Sequence, residues 1–185
     1  MNNTEIRGKW LNLAAGDGRY NLILLKKTKL VVAADIDESA LGKLWETTPN
    51  EFKSKLKTEV FDITKNFPFV NGFFDGVFCT GTLHLFPKEI LQSIFSEIDR
   101  ILKPNGKIIF DFATDISRAF LDGKHYTTEY ETKYSLKEAK NFLKKLLNTY
   151  KVQITESEVP EEIIKMPKID YRFNCKFLLI TANKK

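Results

Sequence analysis

Apolar residues along the chain alternate between two spacings, one typical of buried strands and one typical of amphipathic helices. Five short apolar segments have the pattern of strands and lie at residues 9–14, 29–35, 56–62, 73–81 and 107–113. Three longer segments have apolar residues every three or four positions, as helices do, and lie at residues 18–27, 37–48 and 87–102. This alternation predicts an α/β fold with a parallel sheet of five strands and helices on both faces.

Residue types at the segment ends support the predicted helices. Asp37 is suited to be an N-cap, and Pro87 is suited to be a first helical residue. The Pro-Asn-Gly sequence at 104–106 predicts the turn that ends the third helix. Ser135 and Glu138 predict a capping box that opens a fourth helix within residues 135–150.

The last third of the chain has a different pattern. Residues 114–134 show neither period, which predicts an irregular connection, and residues 115–134 are a candidate substrate lid because connections of this length are often functional. Two final strands are predicted at 151–157 and 171–182. They should pair antiparallel at one edge of the sheet because no helix separates them.

Composition fits one soluble domain over residues 1–185, with 43% apolar residues, 29% charged residues and a net charge of +5. No segment reaches membrane-spanning length and the first ten residues lack the apolar core of a signal peptide, so we expect a cytoplasmic protein with no membrane partner. The positive charge permits an anionic partner such as RNA, but the lysine groups are better explained as solvated surfaces.

Cysteine usage and metal-ligand spacing indicate no metal centre. Cys79 and Cys175 both lie in apolar strand-like segments, where a free thiol behaves as a small buried apolar side chain. We therefore predict that neither is a disulfide partner and that the chain holds no metal.

Candidate ligand residues recur where the predicted strands end, and ligands of such sheets bind at the carboxyl ends of the strands. Gly16 and Gly18 follow the first strand and remove side chains where a backbone turns sharply or approaches a ligand. Asp35 ends the second strand and can accept both hydroxyls of a ribose, while Asp62 ends the third. Each aspartate also has a structural interpretation, as a helix cap for Asp35 and as a turn residue for Asp62.

Five segments resemble, in order and spacing, the motif series of the Rossmann-like (class I) S-adenosylmethionine-dependent methyltransferases. These segments are LNLAAGDGRY, VVAADID, EVFDITKNFPF, FFDGVFCTGTLHLF and ILKPNGKIIF. The resemblance implies a doubly wound, mostly parallel seven-stranded sheet in the order 3-2-1-4-5-7-6, with strand 7 antiparallel, and bound S-adenosyl-L-methionine.

The same resemblance implies a set of cofactor-binding residues. They are Asn12, Ala14, Gly16, Gly18, Asp35, Ile36, Asp62, Ile63, Cys79 and Thr80. The backbone from Ala14 to Gly18 would lie against the methionine part, Asp35 would bind the ribose and Ile36 would pack on the adenine. Asp62 would accept from the adenine amino group with the Ile63 backbone nearby.

Four of these positions concern the methionine end of the cofactor. Cys79 and Thr80 would border it. Asn12 replaces the usual acid of the first strand and offers an amide to a bound amino or carboxylate group. Ala14 replaces the first glycine of the loop and fits a turn if its φ is negative.

A nicotinamide-binding Rossmann domain is the main competing interpretation, since it also needs a glycine loop and an acid about twenty residues later. It fits less well because Arg19 would stand where close packing of helix on strand needs a small residue.

The sequence gives weaker evidence for the residues that contact the methyl acceptor. His84 occupies the place of a histidine common in the family and is a candidate proton acceptor, although a structural role in the loop before Pro87 is the alternative. The connection after the fifth strand supplies the candidate substrate contacts Arg118, His125, Tyr126 and Tyr130. The segment after strand four also lacks the Asn-Pro-Pro-aromatic tetrad of branches that methylate amide or base nitrogens.

These features predict an S-adenosylmethionine-dependent methyltransferase that acts on a small molecule. The first alternative is a tRNA or protein methyltransferase of the same fold, favoured by the positive charge. The second is a protein of this fold that binds a nucleoside or a partner without catalysis.

Overall fold

The fold is built on one seven-stranded sheet, seen in a computed structural model that describes residues 6–126, 133–167 and 169–185. The strands are β1 (Lys9–Leu13), β2 (Leu30–Asp35), β3 (Leu56–Val60), β4 (Phe74–Cys79), β5 (Leu102–Phe120), β6 (Tyr150–Ile164) and β7 (Tyr171–Lys184). Their order is β3-β2-β1-β4-β5-β7-β6. The first five strands are parallel and β7 is antiparallel to both of its neighbours, which confirms the predicted topology.

Helices connect the strands, and two of them begin at side-chain caps that the sequence predicts. The helices are α1 (Asn21–Lys27), α2 (Glu38–Thr47), α3 (Asn50–Lys53), α4 (Lys88–Ile101) and α5 (Leu136–Leu146), with a 3₁₀ turn at Leu83–Leu85. The Asp37 side chain caps α2, and Ser135 and Glu138 form the predicted capping box of α5. Pro87 stands one residue before α4 as its N-cap rather than within it. None of the described helices is long and apolar enough to cross a membrane.

Each face of the sheet is covered by its own helices, because successive side chains of a strand point to opposite faces. Trp10, Phe78 and Ile109 are buried in a cluster with the leucines of α1 and α2. Phe110 and Phe112 are buried in a larger cluster with side chains of α4 and α5. The prediction of helices on both faces is therefore confirmed.

A polar network holds the long connection between β3 and β4 against α4. The Glu97 carboxylate accepts hydrogen bonds from the Arg100 side chain (2.6 and 2.8 Å) and from the Phe67 backbone N–H (2.7 Å). The Arg100 guanidinium in turn donates to the carbonyls of Phe67 and Phe69. This network satisfies backbone groups in a segment where the structure shows no helix.

The antiparallel part of the sheet is much longer than predicted. The prediction that residues 114–134 form an irregular connection is wrong for residues 114–120, which continue β5 and pair with β7. Strand β6 extends to Ile164 rather than 157, and β5 begins at Leu102 rather than 107. We call the three-stranded antiparallel structure formed by residues 107–120, β6 and β7 the ribbon.

Two β-bulges explain why the sequence pattern concealed the ribbon. One lies in β5 between Thr114 and Ser117, with Asp115 at φ 48°, and the other lies in β6 between Val159 and Glu162. Each bulge adds one residue to its strand relative to the central strand β7. The alternation of apolar and polar positions in β5 and in β6 is therefore interrupted at the same level of β7.

Candidate active site

A cleft of about 490 Å³ opens at the carboxyl ends of the central strands. One wall is the loop between β1 and α1, and the other follows β4, β5 and β7. The lining residues are Asn12, Ala14, Ala15, Gly16, Asp17, Arg19, Tyr20, Thr80, Gly81, Asp111 and Phe177. The chain runs from β1 to β2 and β3 on one side of β1 and then crosses to β4 and β5 on the other side. The cleft therefore lies at the topological switch point where α/β sheets bind ligands.

Strand alternation explains why polar side chains meet here. In four neighbouring strands, a residue buried under α1 and α2 is followed two positions later by a polar one on the same face. The buried residues are Ala33, Trp10, Phe78 and Ile109, and the polar ones are Asp35, Asn12, Thr80 and Asp111. Helices α1 and α2 do not cover this face at the carboxyl ends of the strands, so the polar residues form the edge of the face there.

The loop after β1 has three residues in the left-handed region, with φ of 53° at Ala14, 53° at Gly16 and 91° at Gly18. The condition that Ala14 should have a negative φ to fit the turn is not met, and the left-handed conformation costs a non-glycine residue roughly 1–2 kcal/mol. Gly18 must be glycine, because a Cβ there would lie 2.7 Å from Cγ of Leu44. At Gly16 a Cβ would meet no atom within 4 Å, so the backbone faces open space.

Asp35 lies at the same edge of the sheet as the other strand-end polar residues, and it also holds the loop after β1 in place. Its Oδ2 accepts the Gly16 backbone N–H at 2.8 Å, and its Oδ1 accepts the Asp37 N–H at 3.0 Å. The neighbouring side chain of Ile36 is 69% exposed. The helix cap is Asp37, so Asp35 does not have the capping role that its position also permitted.

Asp62 and Ile63 lie outside the cleft lining. Oδ1 of Asp62 accepts the backbone N–H (2.8 Å) and the hydroxyl (2.7 Å) of Thr64, and these bonds lower the pKa of the carboxyl. This is the turn contact that the sequence offered as the structural interpretation. Ile63 packs in the larger core cluster.

Asn12 reaches the cleft as part of a buried amide pair. Its Nδ2 donates to Oδ1 of Asn21 at 3.4 Å, and the two residues are only 4% and 2% exposed. Nδ2 of Asn21 has no hydrogen-bond partner within the described residues. Asn21 was not predicted, although an asparagine on the buried side of an apolar helix was a detectable signal.

The end of β4 separates a core residue from cleft residues. Cys79 is buried in the larger cluster, and burial raises the pKa of its thiol well above the usual range, so its side chain is not part of the cleft surface. Cys175 is buried too, which confirms the expected burial of both thiols. Thr80 and Gly81 do line the cleft.

Two lining residues beyond β4 escaped the sequence analysis. Oδ1 of Asp111 accepts the Gly81 backbone N–H at 2.7 Å, and partial burial raises the pKa of the carboxyl. Phe177 of β7 borders the same end of the cleft. The one charged residue in the apolar strand KIIFDFA was the available signal for Asp111; Phe177 could be found only from the pairing of β7 with β5.

His84 is placed beside the core rather than in the cleft lining. It is 8% exposed, lies in the 3₁₀ turn, and its ring is 6.2 Å from that of Phe112 in an edge-to-face arrangement. Nearby, the buried Tyr134 hydroxyl donates to the Phe86 carbonyl at 2.8 Å. Both positions fit a structural role in the segment that precedes α4.

The candidate substrate residues lie farther along the ribbon than the cleft. Arg118 stacks on Phe173 (5.4 Å to the ring centroid), and Tyr126 packs against Phe120 and Tyr171. His125 is exposed and forms an isolated bridge with Ala119. Tyr130 lies outside the described residues. The structure therefore does not bring the described three into the cleft lining.

Comparison with known proteins places the chain in a family. The family model described as Methyltransferase domain matches residues 11–110. This chain belongs to the methyltransferase family. The matched methyltransferase segment contains β1 to β4, the cleft loop, and β5 as far as Phe110, so it confirms the resemblance drawn from the sequence motifs.

Individual relatives agree with this assignment. An uncharacterized methyltransferase of Synechocystis sp. is 34% identical over 98 residues, which are 53% of this chain and 43% of that protein. The chain thus spans less than half the length of the curated relative that it matches.

Solved structures of methyltransferases share the fold. An S-adenosylmethionine dependent methyltransferase from Mesorhizobium loti superposes with a TM-score of 0.68 at 15% identity, covering 98% of this chain and 93% of that one. The DhpI-SAM-HEP complex has a TM-score of 0.67 at 19% identity, covering 97% and 80%. S-adenosylmethionine is the cofactor of the family to which this chain belongs.

Proposed function

We propose that this methyltransferase transfers the methyl group of S-adenosylmethionine to a small-molecule acceptor. The observation that carries the proposal is the cleft at the carboxyl ends of β1 and β4. A loop with three residues of positive φ lies on one side of it, and polar residues at the strand ends lie on the other. The cleft volume of about 490 Å³ lies within the roughly 300–1,000 Å³ of small-ligand sites.

The described residues fit the adenosine part of the cofactor in two respects, and a third assignment rests on the family resemblance. Asp35 lies beside the Gly16 backbone, where its carboxylate can accept ribose hydroxyls while it keeps the loop ordered. Ile36 exposes an apolar side chain that an adenine ring would cover. Asp62 and the Ile63 backbone, at the end of the neighbouring strand, are assigned to the adenine amino edge.

The methionine part fits the other residues of the cleft. Gly16 allows the loop backbone to approach it, whereas Gly18 is required by its packing against Leu44, and the Asn12 amide offers hydrogen bonds to its amino or carboxylate group. Arg19, on the loop wall, supplies a cation for the carboxylate. Thr80 closes this end of the binding surface, whereas Cys79 contributes only its backbone.

Methyl transfer from a sulfonium is an in-line displacement with a good leaving group, so the protein has to hold the acceptor in line and exclude water. A dedicated base is not required for every acceptor. Since His84 is packed beside Phe112 outside the cleft lining, the proposal gives it no proton-transfer step.

A small acceptor is favoured over tRNA by the charges of the ribbon. The edge strand β6 carries four exposed glutamates, Glu156, Glu158, Glu161 and Glu162, and the first three lie within ion-pair distance of Lys140, Lys176 and Arg172 respectively. These carboxylates offset the nearby positive charges, so the net charge of +5 alone does not argue for nucleic acid.

Calorimetric titration with S-adenosylmethionine, S-adenosylhomocysteine and NAD tests the cofactor. We expect both sulfur nucleosides to bind and NAD not to bind. Failure of both sulfur nucleosides to bind contradicts the proposal. Binding of S-adenosylmethionine without turnover of small-molecule, tRNA or protein acceptors supports the non-catalytic alternative.

Replacement of Asp35 by Asn tests the ribose assignment. Asn can accept one of the two backbone N–H bonds but presents an NH₂ to the other, and it loses the charge, so we expect S-adenosylhomocysteine affinity to fall at least tenfold, about 1.4 kcal/mol. Asp37→Asn is the matched control, because it removes the same charge two residues away while Asn still caps α2. An Asp35→Asn variant with unchanged affinity would show that the assignment is wrong.

A further inference from the structure

We propose that Asp111, with Phe177 beside it, binds a cationic amine group of the methyl acceptor. This inference rests on the proposed function, since it names the chemical class of the substrate for the same cleft. It concerns the two lining residues that lie beyond β4, on the side of the cleft opposite to the residues assigned to adenosine.

The order of the strands sets the distances across the site. Neighbouring strands are about 4.8 Å apart, so β5 lies about 14 Å from β2 and about 10 Å from β1. With the ribose at Asp35 on β2 and the methionine beside Asn12 on β1, the cofactor occupies the first part of this span. Asp111 lies beyond it on the same face, where an acceptor would approach the methyl group.

The Asp111 carboxylate is held in one orientation. Its Oδ1 accepts the Gly81 backbone N–H at 2.7 Å, and therefore Oδ2 can accept a hydrogen bond from a ligand. No ion pair of the described residues involves Asp111, so its charge is not neutralised by a lysine or arginine there. A partly buried carboxylate of this kind gains most from a cationic ligand.

Phe177 supplies the second element of amine recognition. It pairs with Ala113, next to the Asp111–Leu179 pair, so both side chains point to the cleft face of the ribbon. An aromatic ring attracts an ammonium group through its negatively charged face. A carboxylate and a ring together select an amine over a neutral hydroxyl of the same shape.

The chemistry of methyl transfer is consistent with this pair. A bound ammonium group gives one proton to Asp111, which frees the nitrogen lone pair. The lone pair forms the N–C bond while the S–C bond breaks and its electrons stay on sulfur. The sulfonium and the neutral amine thus become a neutral thioether and a methylated ammonium, and the proton on Asp111 leaves to solvent.

The test compares phenethylamine with 2-phenylethanol, which has the same shape but no positive charge. Both are titrated calorimetrically into protein saturated with S-adenosylhomocysteine. We expect the wild type to bind the amine at least tenfold more tightly, Asp111→Asn to lose this preference, and Phe177→Leu to weaken amine binding several-fold. Asp122→Asn, at an exposed aspartate after β5, should behave as the wild type.

The affinity for S-adenosylhomocysteine distinguishes a failure of the proposed function from a failure of the present inference. If the wild type does not bind it, the proposed function fails. If the wild type binds it but shows no preference for the amine, the present inference is overturned. If Asp111→Asn weakens S-adenosylhomocysteine binding tenfold with the amine preference intact, Asp111 instead holds the methionine ammonium, which also overturns the inference.

Discussion

The two parts of the sheet, the parallel strands β1 to β4 and the ribbon, differ in strand length, in burial and in how well the sequence predicts them. Strands β1 to β4 are five or six residues long and are parallel, and the middle ones are covered on both faces. The ribbon has strands of 14 and 15 residues, β6 at its edge is mostly exposed, and Leu179 in its centre is 42% exposed. The parallel part therefore depends on side-chain packing, and the ribbon depends more on backbone pairing between strands.

A pair of leucine truncations measures this difference most directly. Leu11 in β1 is fully buried, so Leu11→Ala should lower the free energy of unfolding by about 2–5 kcal/mol, from lost burial and the remaining cavity. Leu179→Ala in β7 should cost less than about 1 kcal/mol, because much of that side chain is already in water. Chemical denaturation of both variants checks the ratio. Equal losses would mean that the exposed face of the ribbon is covered in solution.

The Glu97 network tests whether polar contacts also fix the parallel part. Glu97→Gln removes the charge that binds Arg100 and the Phe67 N–H, and should cost about 1.5–3 kcal/mol at pH 7. Hydrogen bonds from Arg100 hold the pKa of the Glu97 carboxyl below its usual range. The stabilisation is therefore present above the unfolded pKa of about 4.3 and is lost as the pH falls through the lowered folded pKa.

The measurement for this network is the stability difference between wild type and Glu97→Gln across a pH series. We expect a constant difference at neutral pH that shrinks towards zero in acid. A difference that persists unchanged in acid, below the lowered pKa of the carboxyl, would show that the loss is steric rather than electrostatic.

A smaller effect is expected at the junction of the two parts. The Tyr134 hydroxyl donates to the Phe86 carbonyl after β4, while its ring packs on Phe112 in β5. Burial raises the pKa of this phenol to about 12, so the donor is kept at neutral pH. Tyr134→Phe should cost about 1 kcal/mol in thermal unfolding, and an unchanged melting temperature would show that water replaces the bond.

The parallel part was predictable because its signals are local. An apolar strand, a turn and a helix follow one another within short segments, as at β2, Asp37 and α2. The ribbon was predicted only in part: the antiparallel pairing of β6 and β7 at one edge was expected, but the full length of β5 and β6 was not, because these extensions are identified by their partners. The extra residues at the bulges of β5 and β6 shift the alternation of apolar and polar positions, and a half-exposed strand with a shifted pattern looks like a loop.

The same reasoning applies to the site. The glycine loop and Asp35 follow from local motifs, and the structure joins them through the bond from the Gly16 N–H to Asp35, with Gly16 in the cleft lining. Phe177 enters the cleft only because β7 pairs with β5, a contact between residues far apart in sequence. The positive φ of Ala14 depends on how the loop is held, including the bond from the Ala15 N–H to the Ala34 carbonyl at 2.9 Å.

The two bulges have a consequence for how this protein can change by insertion or deletion. Each outer strand gains one residue at the same level, so pairs on both sides of the bulges stay in phase: Asp111 lies opposite Leu179 before them, and Arg118 lies opposite Phe173 beyond them, all on one surface. Loss of the extra residue at one bulge would leave that outer strand regular and still in register with β7, with the side chains beyond it on the same surface. Loss of one residue from β7 would instead put the central strand out of phase with both of its partners at once. A change of one residue in length is therefore tolerated at the bulges of the outer strands and not in the central strand.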